Sequence, residues 1–332
     1  MATGTSKSEI VFVTRESTYA TAVAASNGDY LLTKSLSMQN QSPLLNPPEK
    51  VISSGQTIGI SGRRSASWDL NCLIRPSGTA GTAPDLQLLL ESVLGSAATV
   101  SAGVSVTFPT GPSNLSMNLW RYRDPAGLTQ QVAIGAIANS MSLRCQDGYI
   151  DASFGGSARW ILDTDNLAST ATAGKGGLSS IAARPSAPVS SGEPLTSFVG
   201  SLTMDGVTYG YARDLTLTVD AARAIDNTTI FNGAFGGEPY AGLKQVTFDL
   251  TITDDDTAAL KALKAKCAAG TTWALALVVG GTAGSIMTIN FARIRTEAIN
   301  FDDSAPTWGC KMRGQTYLSA ASASDEMTIV FT

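Results

Sequence analysis

Apolar and polar residues alternate along many short stretches of the chain. Ala66, Trp68 and Leu70 line one side of such a stretch, and Ser65, Ser67, Asp69 and Asn71 line the other. Val246, Phe248 and Leu250 stand in the same way against Gln245, Thr247, Asp249 and Thr251. Leu36 and Met38 oppose Ser35, Ser37 and Gln39; Leu215, Leu217 and Val219 oppose Asp214, Thr216, Thr218 and Asp220; Ile299 and Phe301 oppose Asn300 and Asp302. A period of two predicts β-strands with one face on a core. Two stretches break the period and predict short helices. Pro84-Asp85 opens residues 86–94 and Gly95 stops them; Asp254-Asp255-Asp256 opens residues 257–267. Acidic residues or Pro at the start and Gly after the end are helix punctuation, and the acids suit the helix dipole.

The same plan occurs twice. Lys34-Ser35-Leu36-Ser37-Met38 matches Arg213-Asp214-Leu215-Thr216-Leu217 at an offset of 179 (213 − 34). Residues 62–70 match 242–250 at an offset of 180, both reading Gly, any, basic, any, small or branched, hydroxyl, aromatic, Asp, Leu. A helix follows in each copy. Residues 115–119 then lie against 273–277, and 140–143 against 298–301, at an offset of 158, with Gly156 against Gly314. The fall from 180 to 158 assigns about 22 extra residues to the Gly/Ser/Pro-rich stretch after the first helix.

These matches divide the chain into an N-terminal arm (1–29), a first β repeat (30–162), a linker or extended arm (163–200) and a second β repeat (201–332). The linker is rich in Ala, Ser, Gly, Thr and Pro. A long irregular segment precedes the Gly-aromatic strand in both copies, at 40–61 and 221–241. Loops of that length inside a compact domain usually bind something.

Charged residues are 15% and apolar ones 43%, which is globular, with a formal charge of −4. No run of five or more Lys/Arg occurs, so tight binding to nucleic acid by phosphate neutralisation is not expected. The chain has no histidine, which removes the commonest general base and metal ligand. Cys72, Cys145, Cys267 and Cys310 are far apart, form no CxxC pair and read as free thiols of a reducing compartment. The apolar run 10–13 is short for a signal-peptide core, and no stretch approaches the length of a membrane-spanning helix. No cofactor, metal or membrane partner is expected, and assembly in a cytoplasm is.

The polar strand faces read either as solvated sheet surface or as the wall of a channel. Ser35, Ser37, Gln39, Ser67, Asp69, Asp214, Thr216, Thr218, Thr247, Asp249, Asn300 and Asp302 are the wall candidates. Short hydroxyls with scattered Asp, and few long cations, stay wet and do not grip phosphate. No catalytic constellation stands out. Gly174-Lys175-Gly176-Gly177 lacks the spacing of a phosphate loop, the 254–256 run lacks the acceptors of a calcium loop, and Asp163 and Asp165 read as a turn.

Taken together, Arg15-Glu16-Ser17-Thr18-Tyr19-Ala20-Thr21, residues 62–70, and Ala83-Pro84-Asp85-Leu86 leading to a helix before Gly95 resemble the major tail tube proteins of long, non-contractile phage tails. The recurrence of the strand–helix plan in the second half adds to that resemblance. The family often has Gly after the Tyr, where this chain has Ala20. The resemblance implies a small β-sandwich or barrel with one flanking helix per repeat, and a non-enzymatic virion protein. Sheets would join edge to edge around a lumen, and a two-copy chain would close as a trimer with pseudo-sixfold symmetry. Stacked rings would form the tube through which the genome is ejected, without specific DNA binding. Tape-measure, tail-tip and tail-terminator proteins are the implied partners. Pro43, Leu44, Leu45, Pro47, Glu49, Thr229, Phe231, Phe235 and Tyr240, in the two long loops, are the candidates for contact between rings. A capsid decoration or tail terminator protein, a surface adhesion module and a carboxylate glycosidase are the alternatives.

Overall fold

The computed structural model describes residues 8–46, 48, 58–124, 128–145, 148–186, 192–209, 212–225, 233–254, 257–303, 306–320 and 323–332. The fold is mainly β, as the alternation predicts. In the first half the strands are β1 (Glu9–Arg15), β2 (Tyr30–Leu31), β3 (Thr33–Gln41), β4 (Leu44–Leu45), β5 (Ile60–Ser61) and β6 (Ser65–Leu73). Helix α1 (Gln87–Leu94) follows, then β7 (Thr99–Ser101), β8 (Ser105–Pro109), β9 (Met117–Arg123), β10 (Gln131–Cys145), β11 (Ile150–Ala158) and β12 (Trp160–Asp163). The second half begins with β13 (Gly200–Met204), β14 (Val207–Tyr209), β15 (Ala212–Asp220), β16 (Ala224–Ile225), β17 (Pro239–Tyr240) and β18 (Gln245–Thr253). It continues with α2 (Ala258–Ala268), β19 (Trp273–Val279), β20 (Met287–Asp302), β21 (Gly309–Tyr317) and β22 (Thr328–Phe331).

Both helices fall where the punctuation places them, with different caps. Gly95 ends α1 at φ 75°, its N–H bonded to the Glu91 carbonyl. The cap of α2 is Thr257, whose hydroxyl accepts from the Leu260 N–H; Asp254 instead pairs with Lys264 at 2.6 Å. Asp255 and Asp256 lie outside the described residues.

One antiparallel sheet runs across both halves in the order β3-β6-β11-β10-β15-β18-β21-β20. The order of its first four strands repeats in its last four. The registers repeat as well. Leu36 faces Leu70 in β3-β6 and Leu215 faces Leu250 in β15-β18; Trp68 faces Gly156 and Phe248 faces Gly314. Even the irregularities coincide: between Thr33/Ser35 and Ala212/Asp214, and between Ala138/Ser140 and Thr296/Ala298.

The last two sit in the middle of the long strands β10 and β20. An extra residue bends a strand and turns it into a second layer. The first half of β10 accordingly pairs with β9 and β12, and that of β20 with β19 and β22. β1 lies on β9 as β13 lies on β19.

Met117 and Leu119 of β9 occupy the places of Trp273 and Leu275 of β19, since Met117 faces Ala136 and Trp273 faces Ile294. The offset there is 156 (273 − 117), not 158. A two-residue slip keeps every side chain on its face, so the pattern alone does not detect it.

The extra stretch of the first copy also forms structure. β7 and β8 make a hairpin, and β8 pairs with β22 of the other half, Phe108 meeting Phe331 edge-on at 5.9 Å. A single apolar core extends between the layers through both halves, from Trp68 and Phe154 to Phe248 and Phe291. A smaller cluster around Phe12, Trp120 and Trp160 lies under the 163–182 segment, where Leu167 is buried.

Candidate functional surface

Directly paired residues of an antiparallel ladder point to the same face. Ser35 pairs with Asn71, Asn71 with Ser153, Ser153 with Ser142, Ser142 with Thr218 and Thr218 with Thr247. Ser37, Asp69 and Asp220 form the next row, Gln39 and Ser67 another. On the far side of the same sheet, Thr216 pairs with Asp249, Asp214 with Thr251, Thr251 with Lys311 and Lys311 with Asn300; Asp302 follows two residues on. Every polar-face candidate therefore stands on one face of the continuous sheet. Short side chains there bond to each other: Ser153 Oγ donates to Asn71 Oδ1 at 2.7 Å, and Asn71 Nδ2 to Ser35 Oγ at 2.9 Å.

Long cations stand on the same face, contrary to the expectation from β3, β6, β15 and β18. Arg144 lies opposite Asp151 and 3.9 Å from Asp214, and Arg313 lies opposite Asp249. Lys34 meets Asp151 at 2.8 Å. Arg144 and Arg313 come from strands whose faces sequence reading leaves unassigned, and Lys34 from the start of β3 itself; each of the three faces an aspartate, whereas Lys311 lies between Thr251 and Asn300. Opposite charges set against one another in this way offset over a few ångströms.

The two halves meet edge to edge where β10 pairs with β15, from Ser140–Asp220 to Cys145–Leu215. The segment after β15 then folds back over the first half. Arg223, 5% exposed, donates to the carbonyls of Ser92, Ala138 and Ser113, and burial pushes it down to about 10. Lys244 donates to the carbonyls of Leu94 and Gly111; burial, with Arg223 adding repulsion, pushes it down to about 8. These two cations occupy the orphan carbonyls at the C-terminal end of α1, where positive charge is favoured. Sequence reading names Lys244 only as the basic position of the repeated motif, gives it no such task, and does not name Arg223.

The loop candidates separate. Leu44 and Leu45 are 69% and 60% exposed on β4, beside Ile60 at 65%, and the Pro43 carbonyl accepts the Gly62 N–H at 2.7 Å. Tyr240 is exposed. Phe235 is buried inside its own chain, with Trp160 edge-on at 5.7 Å and Arg64 over its ring. Pro47, Glu49, Thr229 and Phe231 lie outside the described residues.

The Arg15–Thr21 motif has a structural task on the first half. Arg15 pairs with the buried Glu91. The Glu16 carboxylate, raised by burial, accepts from Asn118 and from the N–H groups of Ala20 at 2.9 Å and Gly135 at 2.7 Å. Ala20 is held at φ 56°, the left-handed region that favours the glycine common at this place.

The other short motifs are turns. Asp163 Oδ1 accepts from the N–H groups of Asp165 and Asn166. The Gly176 carbonyl accepts the Ala22 N–H, and Gly174 packs on the Phe235 ring. Among the described residues no three Cys, Asp or Glu side chains converge as a metal site would require, and no helix is long and apolar enough to cross a membrane.

Among known families, the model described as phage tail tube protein matches residues 5–322. No curated protein matches the chain.

Proposed function

The chain belongs to the phage tail tube protein family, and from that premise we propose that it polymerises as trimeric, pseudo-sixfold rings stacked into the tail tube. The chain supplies two copies of one β unit in tandem, so three chains complete a ring of six. The observation that carries this reading is the β10-β15 joint. Two units with the same strand order and registers already stand side by side in one sheet. Repeating that step around an axis continues the sheet into a closed wall, and closure removes the open edges.

The polar face then lines the channel. Short hydroxyls and alternating Asp and Arg stay hydrated and bind phosphate weakly, so the genome slides past during ejection. The protein is structural and without catalytic activity. It assembles in the host cytoplasm, around a tape-measure protein, between a tail tip and a terminator.

Electron microscopy of the concentrated protein tests the reading. Tubes whose averaged rings hold three chains around a central channel are expected. Rings of six chains would remove the trimer, and a compact oligomer without a channel would favour a capsid decoration role.

A further inference from the structure

The two halves are built alike but covered differently, and the differences fall on one side. Leu143 of β10 is 1% exposed; its counterpart in β20 is Phe301 (143 + 158), which is 72% exposed. Ile137 is fully buried, whereas its counterpart Arg295 is exposed. Trp160 is 8% exposed and Leu318, in its place, 38%. In the first half these positions are covered by β15 and by the segment that follows it. In the second half, among the described residues, no strand lies against the outer side of Ile299, Asn300 and Phe301. An open pocket of about 680 Å³, lined in part by Arg293, Arg295, Tyr317 and Leu318, occupies the place where Phe235 sits in the first half.

The covering segment also has a counterpart. The Gly62 N–H closes the β4-β5 hairpin on the Pro43 carbonyl as the Gly242 N–H closes β16-β17 on the Ala222 carbonyl. By this match Leu44 stands where Arg223 stands (44 + 179). Arg223 is buried against the first half, and Leu44 is exposed beside Leu45, Ile58 and Ile60. Among the described residues, nothing covers the apolar side chains of this hairpin, and β3 pairs with β6 alone.

We propose that the β4-β5 hairpin clasps the second half of the neighbouring copy within the same ring, seated in the pocket by Tyr317 and Leu318. It carries β3 onto β20 of that copy in a fixed register. This rests on the ring reading above and assigns Leu44 and Leu45 to contacts inside a ring. The register is transferred from the internal joint. Met141–Val219, Ser142–Thr218 and Leu143–Leu217 become Ile299–Asn40, Asn300–Gln39 and Phe301–Met38. Met38 covers Phe301 as Leu217 covers Leu143. The partner is a second copy of this chain because the pocket and the hairpin are the two halves of a contact that the chain already makes once with itself.

Cysteine pairs read the register. Residues directly opposite on antiparallel strands stand within disulfide reach, and diagonal ones do not. The full-length variant Asn300→Cys/Gln39→Cys, concentrated and oxidised with copper phenanthroline, is expected to give covalent oligomers. Asn300→Cys/Ser37→Cys is expected to give at least tenfold less. A hairpin variant, Leu45→Asp/Ile60→Asp, should raise the concentration needed for assembly at least tenfold while the melting temperature of the subunit stays within about 2 °C. Tubes seen by microscopy without cross-linking at 39/300, or with preferential linking at 37/300, would overturn this joint and leave the tube function standing. Unaltered assembly of the hairpin variant would overturn the clasp. Failure of every form to assemble or cross-link would remove the ring reading and this joint with it.

Discussion

Leu143 and Phe301 occupy matching places in β10 and β20, and the same substitution at each should have opposite consequences. Leu143 lies in the core between Ala152 and Leu217 of the flanking strands. Truncating such a leucine costs about 2–5 kcal/mol, and an aspartate adds an unpaired carboxylate. Leu143→Asp should therefore destabilise the subunit by at least about 4 kcal/mol. At about 2–4 °C per kcal/mol, the melting temperature should fall by about 8 °C or more. Phe301 is mostly exposed, with its ring 5.2 Å from the Lys264 ammonium. Exposed contacts of this kind contribute about 0.5–1 kcal/mol, so Phe301→Asp should move the subunit by about 4 °C at most. Its effect should appear on association. Burying a phenylalanine side chain contributes about 1.5–3 kcal/mol, and most of that ring is available. Adding the cost of a carboxylate against Met38, each joint should weaken by at least about 2 kcal/mol, roughly thirtyfold in its equilibrium constant. Calorimetry on dilute protein reads the first quantity, and sedimentation velocity across a concentration series reads the second. Equal loss of melting temperature in both variants, or assembly of Phe301→Asp at the wild-type concentration, would refute the reasoning.

Three further outcomes are expected. Lys244 is held down to about 8 in the folded protein. Between that value and the ordinary lysine range near 10.5, the unfolded chain holds a proton that the folded one has released, so this group's contribution to stability rises with pH. Unfolding free energies from denaturant titrations should rise more between pH 7.5 and 10 for the wild type than for Lys244→Met. Ala20→Gly should stay within about 1 kcal/mol of the wild type, because relief of the left-handed backbone offsets the lost methyl, whereas Ala20→Val should cost about 2 kcal/mol or more by thermal unfolding. Burial pushes the Cys72 and Cys145 thiols up to about 12 and raises Cys267 and Cys310 as well. A colourimetric thiol reagent at pH 8 should therefore find little to react with until denaturant is added, and then titrate all four.

Local periodicity was enough to place β3, β6, β15, β18 and the end of β20 with their apolar faces, and the two helices. A period-two pattern states directly which side of a strand meets a core. The matched Gly-aromatic strands likewise announced that the plan occurs twice, and the polar positions they opposed do share one face. Other features stayed invisible for physical reasons. A slip of two residues between β9 and β19 leaves the pattern unchanged. The β7-β8 hairpin reads as a Gly/Ser/Pro loop until β22 is there to pair with it. Phe235 in a long loop looks like a group waiting for a partner, and only the fold brings Trp160 and Arg64 around its ring. Arg223 and Lys244 are ordinary basic residues in the sequence; the carbonyls at the end of α1, more than a hundred residues away, give them their task. Hydrophobic period is a property of neighbours along the chain, so the sequence by itself determined the elements and their faces. Coverage is a property of neighbours across space, so only the tertiary structure decided which of two matching positions, Leu143 or Phe301, is buried and which is left open.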